Sequence, residues 1–546
     1  MPEQLTLEQL MSHYSLQAIA PELVLALSAL VVLLAGVFIG ESLQRRVLPV
    51  LAILGVAGSF GVGTSIWDQN LIFGSPATAV YIADNFALFF KFILLAGLLL
   101  TILISGRLLV AREGDEHSVS GEFYTLLMLA TVGMMMVASA RDLLIVFLGI
   151  ETFSIALYIL AGFSRRQWQS NEAALKYLLL GGFASGFLLY GIALVYFATG
   201  STLFPNIASA LAQGVPSGEL LGSASAPVFF AGIALILIGL GFKASAVPFH
   251  QWTPDVYEGA PTPVTAFMAT GAKAAAFAAI LRIFPGAFGH EVVSAQWHHL
   301  VLVLAVLTMT VGNVIALSQS GLKRMLAYSS IAHAGYLLVG VLACGAAVRN
   351  SGLIGMEDAV ARAYAGVLFY LLIYTVMTIG AFAVVVYLEN ARSKELSNQE
   401  NSNIQVDEVK GLASRSPLMA AMLTLFLFSL AGIPPTAGFF GKFSIFLEAM
   451  HQGLIGLLIV GVLNSVISVY YYLRPVVAMY STDESEVSSA ISVQDGQAVA
   501  VRSGGLSVGL VLAVALCAVG VLGMIAFQSV VYPLALDAVP SAIAAR

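Results

Sequence analysis

Apolar stretches of membrane-crossing length recur from Pro21 to Tyr532, and this repetition decides the fold class. A hydrocarbon core of roughly 30 Å takes about 20 helical residues at 1.5 Å each. Backbone groups left unpaired in lipid are costly, so continuous apolar runs of that length are read as helices. Composition agrees. Of 546 residues, 59% are hydrophobic and only 10% are charged, against about 25% charged in soluble proteins. Mean hydropathy is +0.92. The chain is read as an all-α polytopic membrane protein, with residues 1–546 forming one integral domain.

Fourteen spans are expected, at 21–40, 47–66, 82–106, 123–140, 142–163, 174–199, 227–252, 262–284, 299–317, 322–343, 360–388, 416–449, 453–479 and 506–530. No connection is large enough for a soluble core. The first 20 residues are mixed and polar, so no cleavable signal peptide is expected. Two connections, 389–415 and 481–505, are polar and poor in aromatics, as flexible or partner-covered segments are. The net charge of -6 comes with no basic patch for nucleic acid. Cys344 and Cys517 lie far apart and read as buried thiols rather than a disulfide or metal framework.

Basic residues in the connections set the orientation. One set carries Arg45, Arg46, Arg107, Arg112, Arg165, Arg166, Lys323, Arg324, Arg392, Lys394, Lys410, Arg415, Arg474 and Arg502. The alternate set carries only Arg141, Arg282, Arg349, Arg362 and Arg546. The richer set belongs in the cytoplasm, with both termini and the poorer set on the opposite side. The two polar connections then face the cytoplasm.

Five lysines remain outside the connections: Lys91, Lys176, Lys243, Lys273 and Lys442. Lys176 is expected in the first turn of its span, within snorkelling reach of the surface. Lys91 is deeper, with Asp84 about two turns away on the same face as a candidate partner. Lys273 lies eleven residues into its span, which is about 16 Å of helix and close to the bilayer centre. Lys243 and Lys442 are also well inside. Glu151 is the lone charge in LLIVFLGIETFSIALYIL, and His333 is ten residues past Lys323. A charge at the bilayer centre costs at least about 2.5–3.5 kcal/mol on insertion scales, so such groups point to function before packing. A static ion pair remains the competing reading. For His333, so does a neutral imidazole satisfied by a carbonyl or by Ser329 or Ser330. Burial and neighbouring charges shift the pKa of such groups, so a series of them would titrate as a coupled system. No HExxH, Walker loop or nucleotide-binding glycine motif is present.

Two spans are interrupted. The seventh closes on GFKASAVPFHQW, with Pro248 five residues after Lys243, and the twelfth contains LAGIPPTAGFFGKF, with Pro434, Pro435 and Lys442. Proline removes a backbone donor and clashes with the preceding turn. Broken helix is tolerated in a membrane only where protein or a water cavity satisfies the freed groups, and those groups can help solvate an ammonium. The interrupted spans are five apart, so a five-helix repeat would be inverted in its second copy. Residues 123–284 and 299–479 are the expected repeats.

The stretches GFKASAVPFHQWTPDVYEGAPTPVTAFMATGAKAAAFAAILRIF, SSIAHAGYLLVG and SLAGIPPTAGFFGKFSIF closely resemble the subunit N family of bacterial NADH:quinone oxidoreductase, respiratory complex I. The resemblance covers roughly spans 3 to 13. It implies a fourteen-helix antiporter-like subunit of the bacterial inner membrane, packed in lipid against other membrane-arm subunits. It also implies proton translocation driven by quinone reduction elsewhere, with NADH, FMN, iron–sulfur clusters and quinone held by partner subunits and no redox centre in this chain. By the same resemblance, Glu151 is a carboxylate beside Lys243 on the broken seventh span. Lys273 is the central lysine between two half-channels, and Lys442 the terminal one. His333 is a relay position between Lys273 and Lys442, and Lys176 is a lysine on the cytoplasmic side. The related alternatives are a subunit of a multisubunit cation/proton antiporter or of a membrane-bound hydrogenase. A scaffold that has lost pumping is a third.

Overall fold

The computed structural model describes residues 15–75, 77–106, 121–214, 225–351, 358–395, 403–481 and 507–539. Of the expected polar connections, residues 396–402 and 482–505 lie outside these described residues. The first six long helices are α1 (Ala20–Phe38), α2 (Glu41–Ser65), α3 (Asn85–Ser105), α4 (Gly121–Ser139), α5 (Leu143–Ala161) and α6 (Trp168–Thr199). A short helix, α7 (Phe204–Gly214), precedes α8 (Ser225–Ala244) and α9 (Trp252–Gly259). Next come α10 (Thr262–Ala287), α11 (Glu291–Leu317), α12 (Leu322–Asn350) and α13 (Ala359–Glu395). The chain continues through α14 (Pro417–Ala431), α15 (Ala437–His451), α16 (Ile455–Tyr480) and α17 (Val508–Leu536). Strands β1 (Leu71–Phe73) and β2 (Tyr81–Ala83) form a small antiparallel hairpin with Leu71 opposite Ala83.

Each stretch expected to span is largely helical among the described residues, with breaks in two of them. Among the described residues, twelve helices are long and apolar enough to cross a membrane, and the bent α17 brings the number to thirteen. The expected twelfth span is two fifteen-residue helices, α14 and α15, on either side of a break. The expected seventh, 227–252, is helical only as far as Ala244; Ser245–Gln251 form a break that leads into α9. Both breaks open on a left-handed residue, Ser245 at φ 62° and Gly432 at φ 83°. Glycine adopts that conformation freely, and serine only where the surroundings enforce it.

Local chemistry sets several helix starts. The Asp84 carboxylate accepts from Ala87 N at 2.9 Å to cap α3, and Asp142 accepts from Leu144 N at 2.7 Å to cap α5. Close helix packing relies on small residues. A Cβ on Gly191 of α6 would lie 2.8 Å from Gly232 O of α8. Helices α10 and α12 are buried along their entire crossing windows, so they form the centre of the bundle. The outer helices expose large apolar side chains such as Leu27, Phe183, Phe197 and Val466, which is the surface a lipid solvent requires.

The structure moves several charges from where the sequence placed them. Arg282, expected in a connection, is buried in α10, which runs on through Pro285 to Ala287. Its guanidinium grips Asp84 at 2.5 and 3.1 Å and donates to Ala138 O at 2.7 Å. Asp84 is therefore not the partner of Lys91. Lys91 pairs instead with Glu22 of α1 at 2.9 Å, and Tyr81 donates to the same carboxylate at 2.5 Å. Lys323 is likewise buried, in the first turn of α12, where it donates to Ala260 O at 2.9 Å and lies 3.8 Å from Glu389. The polar connection after α13 starts later than expected. That helix continues to Glu395, and residues 404–406 pair with the start of α12 through Leu322 N to Ile404 O and Val406 N to Ser320 O, each 2.8 Å.

Candidate functional site

The α8–α9 break is stitched by side chains. Trp252 Nε1 donates to Phe242 O at 3.0 Å, Val247 N donates to Thr308 Oγ1 at 2.9 Å, and Thr253 Oγ1 donates to Ser245 Oγ at 2.9 Å. Lys243 occupies the last turn of α8, directly before the break. Its ammonium meets aromatic faces rather than freed carbonyls. The rings of Phe153, Tyr158, Tyr177 and Phe242 have centroids 5.3 to 5.7 Å away. Ring quadrupoles attract a cation, by about 0.5–2 kcal/mol each depending on desolvation. Among the described residues, the hydrogen bond Lys243 makes is to the Tyr158 hydroxyl, at 3.3 Å.

Glu151 is half-buried on α5 and accepts from the Ser185 hydroxyl of α6. It is a neighbour of Lys243 without being a contact partner. Among the described residues, no carboxylate oxygen comes within 4.0 Å of the Lys243, Lys273 or Lys442 ammonium groups. These three side chains are only 3%, 1% and 4% exposed, so their charge is met by neutral dipoles and rings.

Lys273 follows a π-helical turn, Met268–Ala272, in the middle of α10. Such turns alter the direction of a side chain and recur at functional sites. Its ammonium donates to the backbone oxygen and the hydroxyl of Ser330 on α12, the latter at 2.5 Å, with the Tyr374 ring 5.5 Å away. Tyr374 also donates to Ser330 Oγ at 2.9 Å. On the other side, the buried Tyr257 hydroxyl of α9 sits beside both Ser330 and Ser245. Hydroxyls thus run from the α8–α9 break to Lys273.

His333 lies three residues past Ser330 on α12. Its Nδ1 meets the Tyr370 hydroxyl and its Nε2 the Tyr472 hydroxyl, the latter at 3.0 Å. Two tyrosines, rather than a carbonyl or serine, satisfy this imidazole. The Ser329 hydroxyl contacts Tyr472 in turn. The His333 ring is 5.2 Å from Tyr374 and 5.7 Å from Tyr336, and the Lys442 ammonium stands 5.0 Å over Tyr336. Lys442, on α15, reaches back across the second break to Ala431 O, the last carbonyl of α14, at 2.9 Å, and to Ser465 Oγ at 3.2 Å. The negative end of α14 thus faces the ammonium, as expected for a broken helix.

The structure therefore gathers Lys273, His333 and Lys442 around Ser330, Tyr374 and Tyr336 in the buried centre, while Lys243 with Tyr158 and Glu151 with Ser185 stand as separate contacts on its flank. Lys176 is part of neither. Helix α6 begins at Trp168, so Lys176 lies in its third turn rather than its first, with its side chain 40% exposed. It pairs with Glu172 and Asp255, each at 2.7 Å, while Arg324 binds Asp255 at 3.0 Å and Glu258 at 2.6 Å. This charged cluster rims the bundle near α9.

Sequence reasoning missed the tyrosines that link the charges: Tyr158, Tyr257, Tyr336, Tyr370, Tyr374 and Tyr472. Their signal was available, since a phenol buried in a membrane span needs a hydrogen-bond partner. A cavity of about 590 Å³, lined in part by Leu33, Glu122, Leu129, Phe163 and Arg165, touches the series only at Tyr158. Among the described residues, no group of three or more His, Cys, Asp or Glu could hold a metal ion.

Comparison with known proteins bears on this geometry. Residues 140–468 match the family model described as NADH:quinone oxidoreductase/Mrp antiporter, transmembrane. The chain is 47% identical over 472 residues to NADH-quinone oxidoreductase subunit N of Trichlorobacter lovleyi, covering 86% of this chain and 89% of that one. A chain of respiratory complex I from Thermus thermophilus superposes with a TM-score of 0.71 at 32% identity, covering 94% of this chain and 98% of the other. A chain of the Mrp complex from Dietzia sp. shares the fold, with a TM-score of 0.74 at 20% identity over 96% and 97% of the two chains. With its broken helices, its buried lysines and these relatives, the chain belongs to the subunit N family of NADH-quinone oxidoreductases, within the antiporter-like membrane subunits.

Proposed function

We propose that this chain is the antiporter-like subunit of an NADH:quinone oxidoreductase and moves protons across the membrane through Glu151, Lys243, Lys273, His333 and Lys442. One observation carries the reading. Among the described residues, three buried lysines have no carboxylate within 4.0 Å, and hydroxyls and an imidazole lie beside or between them. A buried ammonium without a counter-ion is poorly stabilised, so its charge state responds to nearby charge. Braced cations look different, as Arg282 does with Asp84 at 2.5 Å.

In this reading, protons enter from the cytoplasm and load the Lys273 and Lys442 region. Closing or opening of the Glu151–Lys243 pair changes the field at Lys273, which passes the change through Ser330, Tyr374 and His333 to Lys442. The proton leaves on the other face. Lys176, with Asp255 and Arg324, belongs to the cytoplasmic rim. The chain resides in the bacterial inner membrane with both termini away from the cytoplasm, as the basic connections favour. The two breaks, each opening on a left-handed residue, support inverted repeats over 123–284 and 299–479.

Energy arrives from quinone reduction in partner subunits, which hold NADH, FMN, iron–sulfur clusters and quinone. Half-buried Glu151 lies on a face of α5 that also exposes Leu148 and Ile155. A carboxylate at that depth is costly against lipid, so an adjacent antiporter-like or small membrane subunit covers it and delivers the driving charge. The test is Lys243→Ala in the assembled complex. Proton pumping per assembled complex is expected to fall, and unchanged pumping overturns the reading. Co-purification with NADH dehydrogenase activity, rather than sodium-sensitive antiport, distinguishes the redox complex from an antiporter.

A further inference from the structure

Glu151 and Lys243 do not touch, although they are the carboxylate and ammonium of the first relay step. Each is held by a hydroxyl: Ser185 donates to Glu151, and Lys243 donates to Tyr158 at 3.3 Å. Both contacts depend on one face of α6. Gly181 and Ser185 are four residues apart and lie one above the other on that face. A Cβ at position 181 would sit 2.1 Å from the Tyr158 hydroxyl and 2.8 Å from the ring carbon that bears it. Glycine there leaves the phenol room to reach Lys243.

The phenol has little freedom to go elsewhere. Its ring packs edge-on against Tyr177 with centroids 4.7 Å apart. Tyr177 stacks on Trp252 at 4.5 Å and 7°, and Trp252 is tied by its indole to Phe242 O at 3.0 Å. A stack of three rings thus fixes the Tyr158 hydroxyl relative to the α8–α9 break. We propose that Tyr158 and Ser185 form a latch that holds the Glu151–Lys243 pair open, with Gly181 as the space that admits Tyr158. The proposal rests on the relay reading above and assigns Tyr158, Ser185 and Gly181 as positioning residues. Closing the pair draws the ammonium away from Tyr158 and sets it in competition with Ser185 for the Glu151 carboxylate. A hydrogen bond to a charged group shifts such an equilibrium about tenfold or more, so losing one hydroxyl moves the pair toward its closed form.

The test uses the assembled complex in membrane vesicles, with NADH-driven pumping normalised to intact complex on native gels. Tyr158→Phe keeps the ring stack and removes only the hydroxyl. Tyr158→Phe, Ser185→Ala and Gly181→Ala are each expected to lower pumping about tenfold, the population shift for one charged hydrogen bond. Ser185→Thr restores a hydroxyl and is expected to pump normally. Gly181→Ala added to Tyr158→Phe is expected to have a smaller effect than Gly181→Ala alone, because the hydroxyl contact is already gone and only the ring carbon 2.8 Å away remains to be displaced. Normal pumping by Tyr158→Phe and Ser185→Ala, with impaired Lys243→Ala, overturns the latch and leaves the relay standing. Normal pumping by Lys243→Ala overturns the relay itself. Equal impairment of Ser185→Thr and Ser185→Ala, or a full extra effect of Gly181→Ala on Tyr158→Phe, means the effect is packing and also overturns the latch. Where Gly181→Ala does not assemble, Tyr158→Phe and the Ser185 pair decide.

Discussion

Arg282→Met separates a bracing charge from a relaying one. In the structure Arg282 makes two hydrogen bonds to Asp84, at 2.5 and 3.1 Å, and one to Ala138 O at 2.7 Å, with both side chains almost fully buried. Methionine fills similar volume but strands the Asp84 carboxylate. Breaking a buried pair by removing one partner costs about 3–5 kcal/mol. Asp84 keeps its bond from Ala87 N and the field of nearby Arg141, so the lower end, about 3 kcal/mol, is expected. Lys273→Met should behave oppositely. It strands no charge, and Ser330 Oγ keeps its bond from Tyr374, so about 1 kcal/mol or less is lost. Retention of the chain in the purified complex after graded heating, read on native gels, compares the two. Arg282→Met should release the chain at clearly lower temperature than Lys273→Met, and adding Asp84→Asn should recover much of the loss. Equal heat resistance of the two single variants would refute the distinction between paired and unpaired buried cations.

Two further variants probe the same physics. Gly438→Ala places a Cβ 1.8 Å from Ser429 O across the second break; it should force α14 and α15 apart and prevent incorporation of the chain, seen as its absence from the purified complex. His333→Leu leaves the Tyr370 hydroxyl without its imidazole partner, while Tyr472 keeps its contact with Ser329. Each buried polar group left unsatisfied costs about 1–3 kcal/mol, and pumping should fall in complex that still assembles, whereas His333→Gln should retain part of it.

The features legible in the sequence are those with a strong local penalty. A lysine or glutamate inside a hydrocarbon-length run costs so much that Glu151, Lys243, Lys273 and Lys442 stood out unaided. Prolines marked both breaks because they forbid continuous helix. What the sequence hid is long-range pairing. Lys91 finds Glu22, 69 residues away in sequence (91 minus 22), where a two-turn helical rule had suggested Asp84. Arg282 passed for a connection residue because a charge followed by Pro285 resembles a helix end, whereas burial against Asp84 lets the helix run on. Helix α6 starts six residues before its expected limit of 174 (174 minus 168), because the polar turn Trp168–Glu172 is stabilised by Glu172 pairing with Lys176. The tyrosines around the charges carry only the signal of phenols needing a partner, which does not say which partner. A phenol is cheap enough to bury among apolar residues that only the fold shows which ones meet a lysine or His333.

The most direct measurement is NADH-driven proton pumping by intact complex carrying Lys273→Met, the ammonium at the centre of the buried series. Loss of pumping with the subunits still assembled is the predicted result. Pumping at the unaltered rate would contradict the account, because no proton could then be passing through this side chain.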